Sequence, residues 1–311
     1  MDSKTFETPI ALFVFNRPDT TRRVFDTVAR IGPAQLLLIA DGPRLAKPGE
    51  AEICRQVRDI AGRVDWPCEV FTNFADNNLG CQERMISGLN WVFSLVEEAI
   101  ILEDDCLPDP SFFPFCRELL ERYRGDDRIA YISGCNLVGE YLNTNSSYFF
   151  SQIGGIWGWA TWKSEWTRYD RHLKDWPEIK REELLSEVFD NSKAVDYWTS
   201  IFDAMHENRG PNTWDYQWLF TCLKNNSLAA VSSVNLIANI GFGHGATHTV
   251  QEDARFMLPA TQIGFPLQHP ASFIPLRSMD HRRMQEMLST PLLHRLSTKG
   301  RQIAARLFGH T

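Results

Sequence analysis

Several marks of common function classes are missing from this chain. It contains no CxxC pair, and its 7 cysteines are an odd number. That argues against a disulfide framework or a cysteine zinc site and fits reduced thiols in a cytosolic protein. No uninterrupted apolar run approaches the ~20 residues of a membrane span. Met1 to Pro9 lack the basic and apolar regions of a signal peptide. Excess positive charge is missing too: the net charge is −7, whereas a nucleic-acid partner demands a basic face. No internal repeat or low-complexity tract interrupts the chain.

What is present is an ordinary soluble composition, 43% hydrophobic and 23% charged over 311 residues. That length suffices for one large α/β domain or two small ones. Aromatics are plentiful, with 10 Trp and 20 Phe. Clustered Trp side chains are commonly core, but their flat faces also pack on the apolar side of a pyranose.

Continuous apolar runs alternate with amphipathic stretches along the first half. Ile10 to Phe15 reads as a central strand, Pro18 to Ile31 as a helix, and Leu36 to Ala40 as a second buried strand. A helix from about Glu50 to Val64, a strand from Cys68 to Phe74 and a helix from Cys81 to Val96 follow. Next come a strand through Ala99 to Leu102, a helix from Ser111 to Arg124 and a strand from Arg128 to Gly134. This alternation predicts βαβ units with right-handed crossovers and a parallel sheet.

Three of the strands end in polar residues: Asn16-Arg17, Asp41 and Glu103-Asp104-Asp105. In open α/β sheets the ligand crevice lies beyond the carboxyl ends of the strands, so these groups are expected to converge. Three adjacent carboxylates repel one another unless a cation or donors compensate them. Their oxygens suit Mg²⁺ or Mn²⁺, whose shells are usually completed by phosphate oxygens. The alternative is a solvated turn before a helix that starts at Asp109-Pro110. Asp41 has an alternative as the first residue of an Asp-Gly turn.

The second half differs. Gln152 to Trp162 mixes small residues with Trp157, Trp159 and Trp162, which suggests flat walls beside close backbone. Helices are expected around Lys163–Arg171, Glu182–Phe189 and Ala194–Glu207, and another runs from near Trp214 through Asn225. Short strands are expected at Leu228–Val231 and Leu236–Ile240, followed by a glycine-rich loop with His244 and His248. From Pro270 the pattern loosens into a basic amphipathic tail. Leu292, Leu296, Ile303 and Leu307 recur near helical spacing, and no acid follows Glu286. Such a tail either lies on an anionic membrane surface or packs on its own domain.

Taken in order, Phe15-Asn16-Arg17-Pro18, Ala40-Asp41-Gly42, Leu102-Glu103-Asp104-Asp105, Trp157-Gly158-Trp159, Trp214-Asp215 and Asn239 to Thr249 resemble the GT-A fold glycosyltransferases. The resemblance is to the family-2-like nucleotide-diphospho-sugar transferases and, more distantly, to the mannosyl-glycoprotein N-acetylglucosaminyltransferases. It covers roughly Thr8 to Val250. It implies a Rossmann-like, mostly parallel sheet flanked by helices, in one domain over 1–270. A nucleotide-binding half would span about 8–135 and an acceptor-side half about 136–270, with the tail at 271–311.

The resemblance further implies roles. Asp105, in the position of the last acid of the "DXD"-type motif, would bind Mn²⁺ or Mg²⁺, with Glu103 and Asp104 beside it. Asp41 would hold the base of the nucleotide. Asn16 and Arg17 would meet nucleotide or phosphate, and Arg84 the diphosphate or donor sugar. Asp215 matches the base of inverting members, His248 a late histidine of the metal shell, and Trp157, Trp159 and Trp214 a sugar wall. The motif here is Glu-Asp-Asp rather than Asp-X-Asp, which leaves the donor open.

The implied activity is inverting, metal-dependent transfer from a UDP- or GDP-sugar to a glycan or lipid-linked acceptor. It would serve surface polysaccharide assembly in the cytoplasm or on the inner face of the membrane. A base such as Asp215 would take the acceptor proton while Arg17 or Arg84 offsets charge on the leaving group. Asp215 reads equally as a helix cap. Two other functions stay in view. A sugar nucleotidylyltransferase would want a glycine-rich loop after the first strand, where Asn16-Arg17-Pro18 stands. A catalytically silent sugar-binding module would not need Asp215 alongside the acidic triplet.

Overall fold

A computed structural model describes residues 5–139, 145–241 and 258–289. Its spine is a single eight-stranded sheet. The first four strands are β1 (Ile10–Val14), β2 (Gln35–Ala40), β3 (Glu69–Phe74) and β4 (Glu98–Glu103). A short β5 (Cys106–Pro108) follows, then β6 (Ile129–Ser133), β7 (Tyr148–Ser151), β8 (Trp159–Trp162) and β9 (Leu228–Ser232). The order across the sheet is β3-β2-β1-β4-β8-β6-β9-β7. β5 stands apart and pairs antiparallel with β10 (Ile237–Asn239).

The parallel half follows from the sequence pattern. Strands covered on both faces need apolar residues at successive positions, and the interiors of β1, β2 and β4 supply them. Alternation then assigns each face. Ile10, Leu12 and Val14 join Leu36, Leu38 and Leu102 in one core. Ala11 and Phe13 join Leu37, Ile39 and Ile101 in the other. The first core is closed by α1 (Pro18–Ile31), α2 (Glu50–Ala61) and α4 (Phe112–Tyr123). The second is closed by α3 (Cys81–Leu95), α5 (Lys163–Trp166) and α9 (Asp215–Lys224). Beyond α9 a third cluster gathers α6 (Trp176–Arg181), α7 (Leu185–Val188) and α8 (Ser192–His206) around Trp176, Trp198, Phe202 and Phe220. The chain thus forms a mixed α/β, Rossmann-like fold.

Register places the strand ends level. Val14 faces Ala40, and Phe13 faces Glu103. The chain runs outward from β1 to β3, then returns to lay β4 on the other side of β1. That reversal leaves a crevice between the carboxyl ends of β1 and β4, the place where such sheets bind ligands.

Several expected elements are revised. Trp159–Trp162 is a strand, antiparallel to both β4 and β6, where the composition suggested an aromatic wall. Tyr148–Ser151 is a strand with no periodic signature, since four consecutive apolar and small residues carry no phase. The helix expected around Lys163–Arg171 stops at Trp166, the one expected over Glu182–Phe189 shortens to α7, and α6 before it was not expected. α10 (Arg277–Ser289) was not expected. The apolar positions of the basic tail, Leu292 onward, lie outside the described residues. Among the described residues no helix is long and apolar enough to cross a membrane.

α3 packs so closely on the sheet that Gly88 has no room for a side chain. A Cβ there would meet Phe13 Cε1 and would lie 2.9 Å from Ile39 Cγ2. Overpacking of this kind costs about 1–3 kcal/mol. Gly88→Val is therefore expected to lower the urea midpoint without changing the m-value. A midpoint equal to that of the parent would show that α3 is free to lift off the sheet.

Candidate functional site

The acidic turn is built by β4 running out of the sheet. Glu103 is its last residue, Asp104 and Asp105 make the turn, and β5 carries the chain on to pair with β10. The two aspartates face opposite ways. Asp104 is buried, and its Oδ2 accepts a 2.9 Å hydrogen bond from Phe15 N, tying β4 to the end of β1. Asp105 turns outward, half-exposed, and forms a 2.5 Å ion pair with Arg17 Nη1. Arg17 precedes Pro18 at the start of α1, and its carbonyl accepts from the hydroxyl of Thr21. Ile240 N donates to the Asp105 carbonyl at 2.8 Å, so the chain after β10 lies across the turn. Gly241 is required there, because any Cβ would strike the Asp105 carboxylate and lie 2.7 Å from Arg17 Nη1.

Charge in this turn is poorly compensated. The Glu103 and Asp104 carboxyls are pushed well above the usual carboxylate range. Burial is the main cause, the neighbouring Asp105 charge the next, and Arg17 only partly opposes them.

Asp215 arrives from the other half of the chain by a specific latch. Gly80 precedes α3 with φ of +81°, a conformation that suits glycine. The first turn of α3 would then have free N–H groups. Asn212 supplies a partner from 130 residues away: Gln82 N donates to Asn212 Oδ1 at 2.9 Å. Gln82 Nε2 donates to Thr213 O at 2.8 Å, and Arg171 pairs with Glu83 at 2.6 Å. Asp215 follows as the first residue of α9 and accepts from the Thr213 hydroxyl.

Cys81, the first residue of α3, reports where these acids meet. Its thiol is pushed up to about 12, by burial first and then by Glu103, Asp215, Asp105 and Asp41 in that order. A helix N-terminus normally lowers a thiol pKa. Here burial and the carboxylates of three segments, the ends of β2 and β4 and the start of α9, outweigh it. Asp41, Asp105 and Asp215, expected on one crevice, all act on the Cys81 thiol.

Other expected site residues are placed differently. Both oxygens of buried Asp41 are engaged within the protein. Oδ1 accepts from Gly42 N and Leu79 N at 2.8 and 2.9 Å, and Oδ2 from Asn78 Nδ2 and Gly80 N at 2.8 and 3.1 Å. Asp41 thereby clamps the loop after β2 to the loop before α3. Arg84 is also buried, with Nη2 donating to the backbone and side-chain oxygens of Asn73 at 2.6 and 2.8 Å. Burial lowers its pKa. Trp159 and Trp214 are only 1% and 2% exposed and stack on each other with centroids 5.3 Å apart. They are core, not a wall open to a sugar, because β8 and the start of α9 both turn inward. Trp157 remains half-buried. His248 lies outside the described residues.

Sequence reading missed a network beside Asn16. Asn16 Nδ2 donates to Glu50 Oε1 at 2.9 Å, and the same carboxylate takes Arg44 N at 2.7 Å and Arg44 Nε at 2.9 Å. Arg44 also lies over the Phe15 ring, 5.3 Å from its centroid. A cation three residues past Asp41, at a strand end, was the available signal. These bonds hold Glu50 near 2, well below its ordinary 4.5, chiefly through the Arg44 side chain. A carboxylate depressed in the folded state contributes stability above its unfolded pKa and loses it as pH falls through the folded value. The melting temperature is therefore expected to fall between about pH 5 and pH 2, and Glu50→Gln to flatten part of that fall. Parallel curves for parent and variant would remove Glu50 from the acid response.

No family model matches the chain, and no curated protein matches it in sequence. Among solved structures, UDP-glucose pyrophosphorylase complexed with UDP-glucose aligns with a TM-score of 0.38 and 8% identity. The alignment covers 75% of this chain and 93% of that one. A likeness of that size carries no argument about function.

Proposed function

We propose that the chain is a GT-A type glycosyltransferase that moves a sugar from a nucleotide-diphosphate donor to a hydroxyl acceptor with inversion. One observation carries the reading. The end of β4 sets Glu103, Asp104 and Asp105 in one turn at the crevice between β1 and β4, Arg17 pairs with Asp105, and Asp215 at the start of α9 helps to raise the buried Glu103 carboxyl. Such a concentration of negative charge calls for a cation partner.

The donor set suits a hard divalent ion. Among the described residues no three His, Cys, Asp or Glu side chains form a cage for a metal. Mg²⁺-type sites, however, use one or two carboxylates plus substrate phosphates rather than a complete protein cage. Asp105 would hold the ion, with Glu103 two residues before it. The ion would supply Lewis-acid stabilisation of the departing diphosphate.

The protein's own groups do the rest. Arg17 sets a guanidinium beside Asp105, where it offsets negative charge on the diphosphate as the anomeric C–O bond breaks. Asp215 takes the proton of the acceptor hydroxyl as its oxygen bonds to the anomeric carbon from the opposite face. The Thr213 hydroxyl and the Asn212–Gln82 latch fix that carboxylate against the donor side of the crevice. Asp41 acts at one remove, by holding the loops that frame the nucleotide. The exposed edge of Phe15 with Arg44 over it offers the base a flat, cationic rim.

The test separates binding from chemistry. UDP or GDP with Mn²⁺ is expected to raise the melting temperature, and Asp105→Asn to remove the Mn²⁺-dependent part. Asp215→Asn is expected to keep that shift while transfer falls about 10²–10⁴-fold. Full activity of Asp105→Asn would overturn the site. Release of pyrophosphate from a nucleoside triphosphate and a sugar phosphate would show a nucleotidylyltransferase instead. Binding without turnover would show a silent module.

A further inference from the structure

The two edges of the sheet are finished differently. At one edge β7 is covered by the chain itself: Ser147 N donates to Gln268 O at 2.7 Å, and Leu276 N to Phe150 O at 2.8 Å. β3 forms the other edge. In a parallel ladder alternate residues turn their backbone groups toward a given neighbour. Glu69 N donates to Ala34 O and Ala75 N to Ala40 O, on the β2 side. The odd-numbered residues of β3 therefore serve β2, and Val70, Thr72 and Phe74 turn their N–H and C=O groups outward. Among the described residues no backbone group meets them there.

Natural sheets blunt an open edge with proline, lysine, a bulge or a very short strand. β3 has none of these. It is six residues long, Glu-Val-Phe-Thr-Asn-Phe, and pairs with β2 in unbroken register. Its one ionisable side chain, Glu69, accepts from Gln35 Nε2 of β2 at 3.0 Å. Val70 and Phe74 are level with Leu36 and Ala40, which are fully buried, yet they are themselves 39% and 37% exposed. Arg58 of α2 lies over the Phe74 ring, 5.0 Å from its centroid, and leaves the outer side of that ring uncovered. Exposed apolar side chains beside unpaired backbone make this edge a template for another strand.

We propose that β3 pairs with β3 of a second copy of this chain, antiparallel about a two-fold axis at Thr72, so that the two sheets join edge to edge. The strand is complementary to itself in this register. Thr72 meets the partner's Thr72 and Val70 meets the partner's Phe74, each pair exchanging both backbone bonds, so every outward residue is used. The same register sets a β-branched side chain against an aromatic one on the exposed face, and symmetry repeats the pair. Glu69 meets the partner's Ala75, so no like charges face each other across the ladder. Moving the axis to Phe71 or Asn73 separates Val70 from the partner's Phe74 and sets one outward residue opposite a residue beyond the strand. About the Thr72 axis the carboxyl edges of the two sheets point in opposite directions, which leaves each crevice between β1 and β4 open. The inference rests on the sheet alone and is independent of the transferase reading.

The experiment is sedimentation velocity on the full chain over about a hundredfold range of concentration, where a monomer–dimer equilibrium is expected. Val70→Lys puts a charge against the partner's Phe74 and is expected to weaken the dimer about tenfold or more. Thr72→Pro removes the N–H at the axis, which faces out of the sheet, and is expected to do the same while the circular dichroism stays that of the parent. Should Thr72→Pro fail to fold, Val70→Lys alone decides. A parent that stays monomeric throughout the range overturns the proposal. A dimer that persists undiminished in folded Val70→Lys overturns it too, because the contact would then lie elsewhere. A chain that dimerises only after residues 290–311 are removed would give the edge to its own tail, and overturns it as well.

Discussion

Repulsion between carboxylates at the edge of a buried sheet is the constraint around which this molecule is arranged. Glu103, Asp104, Asp105 and Asp215 stand near one another, with Arg17 as the cation drawn against Asp105. In a low-dielectric setting such charges raise one another's pKa and cost folding free energy. Folding tolerates that cost because the strands beneath are packed on both faces. β1 is completely buried, and the ends of β1, β2 and β4 are held level by hydrogen-bond register. Asp104 spends its charge on Phe15 N and thereby makes the sheet end rigid. The electrostatic cost falls on Glu103 and Asp104, beside the Arg17–Asp105 pair.

The same logic separates acids that organise from acids that act. Asp41 and Asp104 have oxygens committed to backbone N–H groups, and Asp280 to a hydroxyl and a backbone N–H. Glu50 is consumed by Arg44 and Asn16. These carboxylates fix loops. Asp105 pairs through Oδ2 with an arginine that a phosphate would also attract, and its Oδ1 accepts from the Cys106 thiol at 3.6 Å. Asp215 sits at the end of a latch that spans the two halves of the chain.

Much of the parallel half was legible in the sequence because its strands are buried on both faces. A run such as Ile10 to Val14 has no polar position to confuse the reading, and α1 and α2 carry clear apolar stripes. β7 and β8 were not legible. They are four residues each; Tyr148–Ser151 carries no phase, and the Trp side chains of β8 read equally as a binding wall. α10 was missed because its buried residues are two methionines and an aspartate, too few to make a stripe. For the site, position was readable and direction was not. Strand-end logic brought Asn16, Arg17, Asp41 and the acidic triplet to one edge. It could not say that Asp41 turns into the protein, that Trp159 and Trp214 stack inward, or that Arg84 bonds Asn73. Those outcomes depend on partners distant in sequence.

Asn212 shows why the distant partners matter. A helix N-terminus left bare at the mouth of a crevice would attract anions by itself. At α3 that position is instead closed by a side chain from the loop that carries Asp215. Closing it brings Cys81 against the acids and removes a competing anion site next to Arg17. The cap and the placement of Asp215 are one structural event. Under the proposed transfer, a diphosphate at this edge would meet the guanidinium of Arg17 beside Asp105.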